Sequence, residues 1–152
     1  MKIEIDQSGK VEDTSKPTVL AFCNGSKHTI KIIATTKQSI QNEFRMRNLG
    51  RLFVYRTFAT LVFLLIYEYL QEIKYITIDM EYPGHEKQIK DILLEMIRNT
   101  ELPEPTIHFK RIGNHPPVHY LALNTYKNKI KADKIVGLRE VMQLALKKDR
   151  GF

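Results

Sequence analysis

The stretch from residue 74 to residue 112, KYITIDMEYPGHEKQIKDILLEMIRNTELPEPTIHFKRI, contains a complete strand–helix–strand unit. Its ends, KYITID (74–79) and TIHFKRI (106–112), show the alternating apolar pattern of half-buried strands. Between them lies an apolar series at helical spacing, Ile89, Ile92, Leu93, Met96 and Ile97. Because strand–helix–strand connections are almost always right-handed crossovers, this unit predicts two parallel strands of one sheet.

The chain before this unit predicts three antiparallel strands and then a long helical region. The strands are KIEID (2–6), TVLAFCNG (18–25) and HTIKIIA (28–34). Asn24-Gly25 is a strong hairpin signal between the second and third strands. Over residues 37–73 the apolar period becomes helical, with Gly50 as a possible break.

One part of this helical region, TFATLVFLLIY (57–67), is apolar almost all round. It is bounded by Arg56 and Glu68 and is shorter than the roughly 20 apolar residues that a membrane span needs. We therefore expect a helix buried in the core and no membrane association.

After the strand–helix–strand unit, Pro116-Pro117 predicts the start of a short helix, followed by a basic loop and a last helix over residues 137–148. The predicted fold is α/β, with a single domain over residues 1–152. Its five-stranded mixed sheet combines an antiparallel three-strand meander with parallel strands, and helices cover both faces.

Composition favours a globular protein in a reducing compartment. The chain has 152 residues, 43% of them hydrophobic and 27% charged, which is ordinary for one soluble domain. Cys23 is the single cysteine, so neither an intrachain disulfide nor a cysteine-based zinc site is possible. Because MKIEIDQSGK (1–10) is too polar for a signal peptide, we expect a cytoplasmic location.

The net charge of +7 favours an anionic partner, nucleic acid first, although excess lysine also aids solubility. Two segments concentrate this charge and are the candidate phosphate-binding clusters: Arg45, Arg47, Arg51 and Arg56, and then Lys127, Lys129, Lys131 and Lys134. No aromatic-rich strand that would stack bases stands out. Solvated faces explain such charge runs about as well as binding does.

Two predicted strands end in aspartate, KIEID at Asp6 and YITID at Asp79. In each strand, alternation places the isoleucines on one face of the sheet and the aspartate on the other. If the strands are neighbours, both carboxylates emerge on the same side at the same edge, where a proton or a cation must offset their repulsion. Carboxylate oxygens suit Mg²⁺ or Mn²⁺. The alternative is that either aspartate only caps the turn after its strand.

These elements resemble the ribonuclease H-like superfamily, which includes ribonucleases H, RuvC-type resolvases and Piwi domains. The resemblance covers residues 1–127 and rests on the element order and three motifs: IEIDQSG with Asp6, ITID with Asp79, and IHFKRIGNHPPVHYLAL. In the last motif, His119 precedes YLA and takes the position of the family's last acidic ligand. Asp133 is the weaker candidate for that ligand. His115 is interpreted as a plain surface loop residue.

The resemblance implies a nuclease that hydrolyses the phosphodiester bonds of RNA, DNA or a hybrid with two Mg²⁺ or Mn²⁺ ions. Asp6 would bridge both ions, and Asp79 and His119 would complete their shells. These three are the catalytic candidates. On its own, a histidine in a short helix is more often a core or surface residue than a ligand.

The chain departs from the family pattern in its long helix, where ribonucleases H carry a metal-binding glutamate. The matching position falls near Thr57 and Ala59, and Glu43 serves only if the helix is extended at its start. Glu81 and Glu86 are possible spare ligands, although we interpret both as a charged helix start. The departure supports an alternative function, a catalytically inactive module that binds nucleic acid or a protein.

Overall fold

The structure, a computed structural model, describes residues 1–114 and 116–146. His115 and the end of the last predicted helix lie outside the described residues. The strands are β1 (Lys2–Ser8), β2 (Thr18–Cys23), β3 (His28–Ile32), β4 (Tyr75–Asp79), β5 (Thr106–Lys110) and β6 (Lys134–Ile135). The helices are α1 (Ala34–Met46), α2 (Phe53–Ile66), α3 (Glu86–Arg98), α4 (Pro117–Tyr126) and α5 (Leu138–Ala145).

All six strands form one mixed sheet in the order β5-β4-β1-β2-β3-β6. β1 and β3 pair antiparallel with β2, whereas β4 is parallel to β1 and β5 is parallel to β4. The predicted α/β class, the meander and the parallel portion are therefore confirmed. At the hairpin signal, Asn24 and Gly25 both have positive φ, at 97° and 96°.

The predicted number of five strands was wrong, because the structure contains a sixth. β6 pairs in parallel with β3 over two residues, opposite Ile30 and Lys31. It lies in the segment that the sequence assigned to a basic loop. A two-residue edge strand has no room for an alternating pattern, so sequence periodicity carries no signal for it.

One face of the sheet carries the main core. Ile3 and Ile5 of β1 and Ile76 and Ile78 of β4 are at most 1% exposed, and they share a hydrophobic cluster with residues of α1, α2, α3 and α5. Ten of the fourteen residues of α2 are buried. The prediction of a buried core helix is confirmed.

By length and composition, one helical stretch among the described residues would suit a membrane span. This stretch is Gly50–Tyr69, with a mean hydropathy of 1.4 and 56% of its most apolar window buried inside the protein. Because the helix is mostly covered by the sheet and its neighbouring helices, its apolar character is explained by the core.

The opposite face carries α4, so helices lie on both faces as predicted. Val118 and Ala122 of α4 pack on Ala21 of β2, and all three are fully buried. Pro117 occupies the first turn of α4, where its missing N–H leaves no hydrogen bond unmade. This packing fixes the first turn of α4 beside β1.

The loop between β1 and β2 is fastened by a buried lysine. The ammonium group of Lys37, in α1, donates hydrogen bonds to the carbonyl oxygens of Lys10 and Asp13 at 3.1 and 2.6 Å and to the hydroxyl of Thr18 at 3.0 Å. Burial lowers the pKa of Lys37 to about 8. The contact ties the loop that follows β1 to the helical layer.

Candidate metal centre

The pairing of β1 with β4 brings two aspartates together. Ile5 lies opposite Ile78 in the parallel register, so the next residues along the two strands, Asp6 and Asp79, are also side by side. Because the isoleucines face the core, both aspartates face the α4 side of the sheet. The sequence-based expectation that the two carboxylates share one side and one edge is confirmed.

Glu81 is the third member of this site. Two backbone hydrogen bonds shape the connection after β4. The N–H of Met80 donates to the carbonyl oxygen of Lys110 at 3.1 Å, and the N–H of Glu81 donates to the carbonyl oxygen of Asp79 at 3.0 Å. Carboxylate oxygens of Asp6, Asp79 and Glu81 all lie within 4.8 Å of one another. We call these three residues the carboxylate triad.

The interpretation of Glu81 as part of a charged helix start was wrong. α3 begins at Glu86, and only Glu86 lies in its first turn. Glu81 instead belongs to the connection after β4, two residues beyond Asp79. This short spacing is the feature of the sequence that could have indicated Glu81 as a third ligand, because a residue two positions past a strand end remains at the same edge of the sheet.

Burial and repulsion determine the protonation of the triad. Asp6 is 3% exposed, and burial raises its pKa, with the charge of Asp79 adding to the rise. The N–H of Gln7, which donates to Asp6 Oδ1 at 2.8 Å, opposes this shift. Burial, followed by hydrogen bonding to Asp79, raises the pKa of Glu81 to about 8. At neutral pH a proton therefore lies among the three carboxylates.

His119 reaches the triad from α4. Its Nδ1 lies 3.2 Å from Oδ2 of Asp6, with the imidazole 26% exposed. If Nδ1 carries the hydrogen of this bond in a neutral ring, Nε2 is the nitrogen with a lone pair. The structure thus places His119 in contact with Asp6 but beside the triad, not as one of its three members.

The segment that leads from β5 to α4 is also tied to the site. The N–H of Ile112 donates to Oδ1 of Asp79 at 2.7 Å. Ile112 packs against the small apolar cluster under α4. One hydrogen bond thus orients the carboxylate of Asp79, and the same loop positions the helix that carries His119.

The two weaker ligand candidates lie elsewhere. Glu43, in α1, faces Arg47 at 3.6 Å one helical turn away. Asp133 accepts the N–H of Thr29 at 2.9 Å and so lies beside β3, two strands from β1 and about 10 Å from Asp6 by strand spacing. The structure does not bring either of them into the triad.

The two basic clusters lie on opposite sides of the sheet. Arg45, Arg47 and Arg51 are exposed on the side of the main helical layer, where Arg56 is partly buried. The exposed Lys127, Lys129 and Lys131 follow α4 on the side of the triad. Lys134 pairs instead with Glu140 at 2.8 Å. Of the two clusters, the lysines therefore share a face with the triad.

No protein-family model, curated protein or solved structure matches this chain. The atoms of the site that could bind a metal indicate its chemistry. Three carboxylates supply only oxygen, the ligand that Mg²⁺ and Mn²⁺ prefer. Their crowding holds a proton that a divalent cation can replace, so these residues fit a hard metal ion.

Proposed function

We propose that this protein is a metal-dependent nuclease of the ribonuclease H-like type, which hydrolyses phosphodiester bonds of RNA or DNA. The observation that carries the proposal is the carboxylate triad at the carboxyl ends of two neighbouring parallel strands. Ligand sites of α/β sheets form at such strand ends. The antiparallel meander joined to parallel β4 and β5 supports the resemblance that the motifs imply.

The triad supplies the residues that would hold Mg²⁺ or Mn²⁺. Asp6, the most buried of the three and the partner of His119, would hold the ion together with Asp79 and Glu81. Glu81 supplies, from the connection after β4, the third carboxylate that α2 lacks. When bound, such ions activate water and stabilise negative charge on phosphate oxygens.

His119 has two uses in this arrangement. Its contact with Asp6 orients the carboxylate, and its Nε2 is available either as a ligand or as a proton acceptor. Both roles of Nε2 use its lone pair and therefore need the neutral imidazole.

A catalytically inactive module that binds nucleic acid or a protein is the second candidate function. The observation in its favour is α2, which has no acidic residue over Phe53–Ile66 and presents buried Thr57 and Ala59 in the region where ribonucleases H carry a glutamate. Such a module needs the two basic clusters but does not need the carboxylate triad.

A cleavage assay on three forms of the protein separates the two functions. Labelled RNA, DNA and hybrid strands are incubated with wild type, Asp6→Asn and the control Asp91→Asn, which alters an exposed carboxylate on α3. A nuclease cleaves with Mg²⁺ or Mn²⁺, keeps this activity in the control and loses it in Asp6→Asn. Binding without cleavage by wild type supports the module instead.

A further inference from the structure

Over residues 1–114 and 116–146, only part of the α4 side of the sheet is covered by helix. α4 packs on β1, β2 and β3. The side chains that alternate onto this side from β4, β5 and the adjacent β1 form a strip that we call the open face: Lys2, Glu4 and the buried Asp6 of β1, Tyr75, Thr77 and Asp79 of β4, and Thr106, His108 and Lys110 of β5. Two triad residues, Asp6 and Asp79, form one end of it.

An aromatic pair lies on the open face. Tyr75 is 42% exposed, and its ring is nearly parallel to that of the exposed His108, with 13° between the planes and 5.7 Å between the centroids. The pair forms because Tyr75 lies opposite Thr106 and His108 opposite Thr77, which makes the two rings diagonal neighbours across β4 and β5.

Cations flank the aromatic pair. The ammonium group of Lys2 lies 5.4 Å from the centre of the Tyr75 ring. The exposed Lys110 lies opposite Asp79 in the β4–β5 register, at the end of the open face next to the triad. Glu4, half-buried, is the one acidic side chain of the open face besides Asp6 and Asp79. Apart from the two triad aspartates, the charged side chains of the open face are two lysines and one glutamate, and they lie around the aromatic pair.

We propose that the open face binds a single-stranded nucleic acid, with one base stacked on the Tyr75–His108 pair and phosphates near Lys2 and Lys110. Exposed rings on a sheet stack unpaired bases, whereas the bases of a duplex are covered by their neighbours. Tyr75 precedes Asp79 by four residues, about 13 Å along the strand. A nucleic-acid strand with a base stacked on Tyr75 would therefore reach the triad a few nucleotides further along.

This inference rests on the proposed nuclease function for its substrate and deepens it by naming a single strand. The open face supplies stacking and charge, whereas the triad supplies metal binding. Strand binding and cleavage can therefore be measured independently, and each proposal can fail alone.

The test is fluorescence anisotropy with a fluorescein-labelled oligothymidine of about 12 nucleotides, in EDTA so that the strand stays intact. Tyr75→Ile removes the ring but keeps a side chain suited to a strand, and Tyr75→Phe keeps the ring. Tyr67→Ile is the matched control, because Tyr67 is 47% exposed just after α2, away from the open face. Thermal melting confirms that each variant is folded.

We expect Tyr75→Ile to weaken binding of the oligothymidine by about fivefold or more, since base stacking on an aromatic side chain contributes at least that much. Tyr75→Phe and Tyr67→Ile should stay within about twofold of wild type. His108→Ala should weaken binding in the same direction. A duplex of equal length should bind less tightly and should not respond to Tyr75→Ile.

The inference is overturned if Tyr75→Ile binds the oligothymidine as wild type does, or if Tyr75→Phe loses as much affinity as Tyr75→Ile. It is also overturned if sedimentation shows a dimer that Tyr75→Ile dissociates, because the open face would then bind a second copy of the chain. Cleavage that persists alongside these results leaves the nuclease proposal intact. Stacking without any metal-dependent cleavage supports the open face and rejects the nuclease.

Discussion

Nδ1 of His119 lies 3.2 Å from Oδ2 of Asp6, and this contact joins the first turn of α4 to the first strand across 113 positions of sequence. Asp6 itself is 3% exposed, and its carboxylate lies within 4.8 Å of the carboxylates of Asp79 and Glu81. The contact therefore makes His119 a direct partner of the most buried acid in the candidate metal centre, and its consequences can be measured.

Replacing His119 should weaken metal binding without unfolding the protein. His119→Ala removes the partner of Asp6, and loss of such an orienting contact typically costs about 10- to 100-fold in metal affinity or activity. His119→Gln, which can still hydrogen-bond Asp6, should lose less. Mn²⁺ affinity and thermal melting of both variants check this, with Tyr120→Phe as a control for changes to the exposed side of α4. Equal Mn²⁺ affinity in wild type and His119→Ala would contradict the prediction.

Stability should depend on pH through Glu81. Burial raises the pKa of Glu81 from its ordinary value of 4.5 to about 8, so the folded state favours the protonated acid. This contribution to stability is fully present below pH 4.5 and is lost as pH rises towards 8. Glu81→Gln should flatten the decline of the melting temperature between these pH values.

The control for this experiment is Glu68→Gln, which alters an exposed glutamate after α2. It should leave the pH dependence of wild type unchanged. Added Mn²⁺ should raise the melting temperature of wild type more at pH 8 than at pH 6, because the proton that competes with the metal is lost from Glu81 as pH rises through about 8. A melting curve for Glu81→Gln that follows wild type over the whole range would reject the assigned environment of Glu81.

Lys37 should stabilise the fold through the loop after β1. Lys37→Met removes the donor of three hydrogen bonds and leaves two carbonyl oxygens and the Thr18 hydroxyl without this partner. We expect a loss of about 1–3 kcal/mol in the free energy of unfolding. Urea denaturation measures it, with Lys16→Met as the exposed control. A variant as stable as wild type would mean that burial of the charge offsets these bonds.

Asp133 should matter for β6 and not for metal. It accepts the N–H of Thr29 at 2.9 Å, and its own N–H donates to the Thr29 hydroxyl at 2.9 Å. Asp133→Ala should lower stability by about 1 kcal/mol while leaving Mn²⁺ affinity unchanged. Calorimetry and urea denaturation of the same preparation test both parts. Weaker Mn²⁺ binding in Asp133→Ala would restore it as a ligand candidate.

The sequence predicted the features that depend on local pattern. Alternation in KIEID and YITID predicted both strands and the common side of Asp6 and Asp79, since the parity of a side chain along a strand is fixed by the pleat. The helical spacing around Ile89 predicted α3, and Pro117 predicted the start of α4. The predictions of strands and helices hold because each rests on the residues within a single element, whereas the common side of Asp6 and Asp79 also required β1 and β4 to be neighbours.

The features that the sequence did not predict depend on contacts between distant elements. Glu81 joins the triad through a turn anchored on Lys110, and the β4–β5 register brings Tyr75 and His108 together. β6 forms where Asp133 bonds to Thr29. Apart from the two-residue spacing between Asp79 and Glu81, no local pattern records such meetings, because each depends on how strands far apart in the chain are paired.

The most direct test of the metal centre is calorimetric titration of Mn²⁺ into EDTA-stripped wild type, Asp6→Asn and Asp91→Asn at pH 8. We predict saturable binding in wild type and in the Asp91→Asn control, and a loss of about 10-fold or more in affinity in Asp6→Asn, because its amide cannot replace a charged ligand. Absence of binding in wild type at millimolar Mn²⁺, or equal binding by Asp6→Asn, would contradict a metal site at the carboxylate triad.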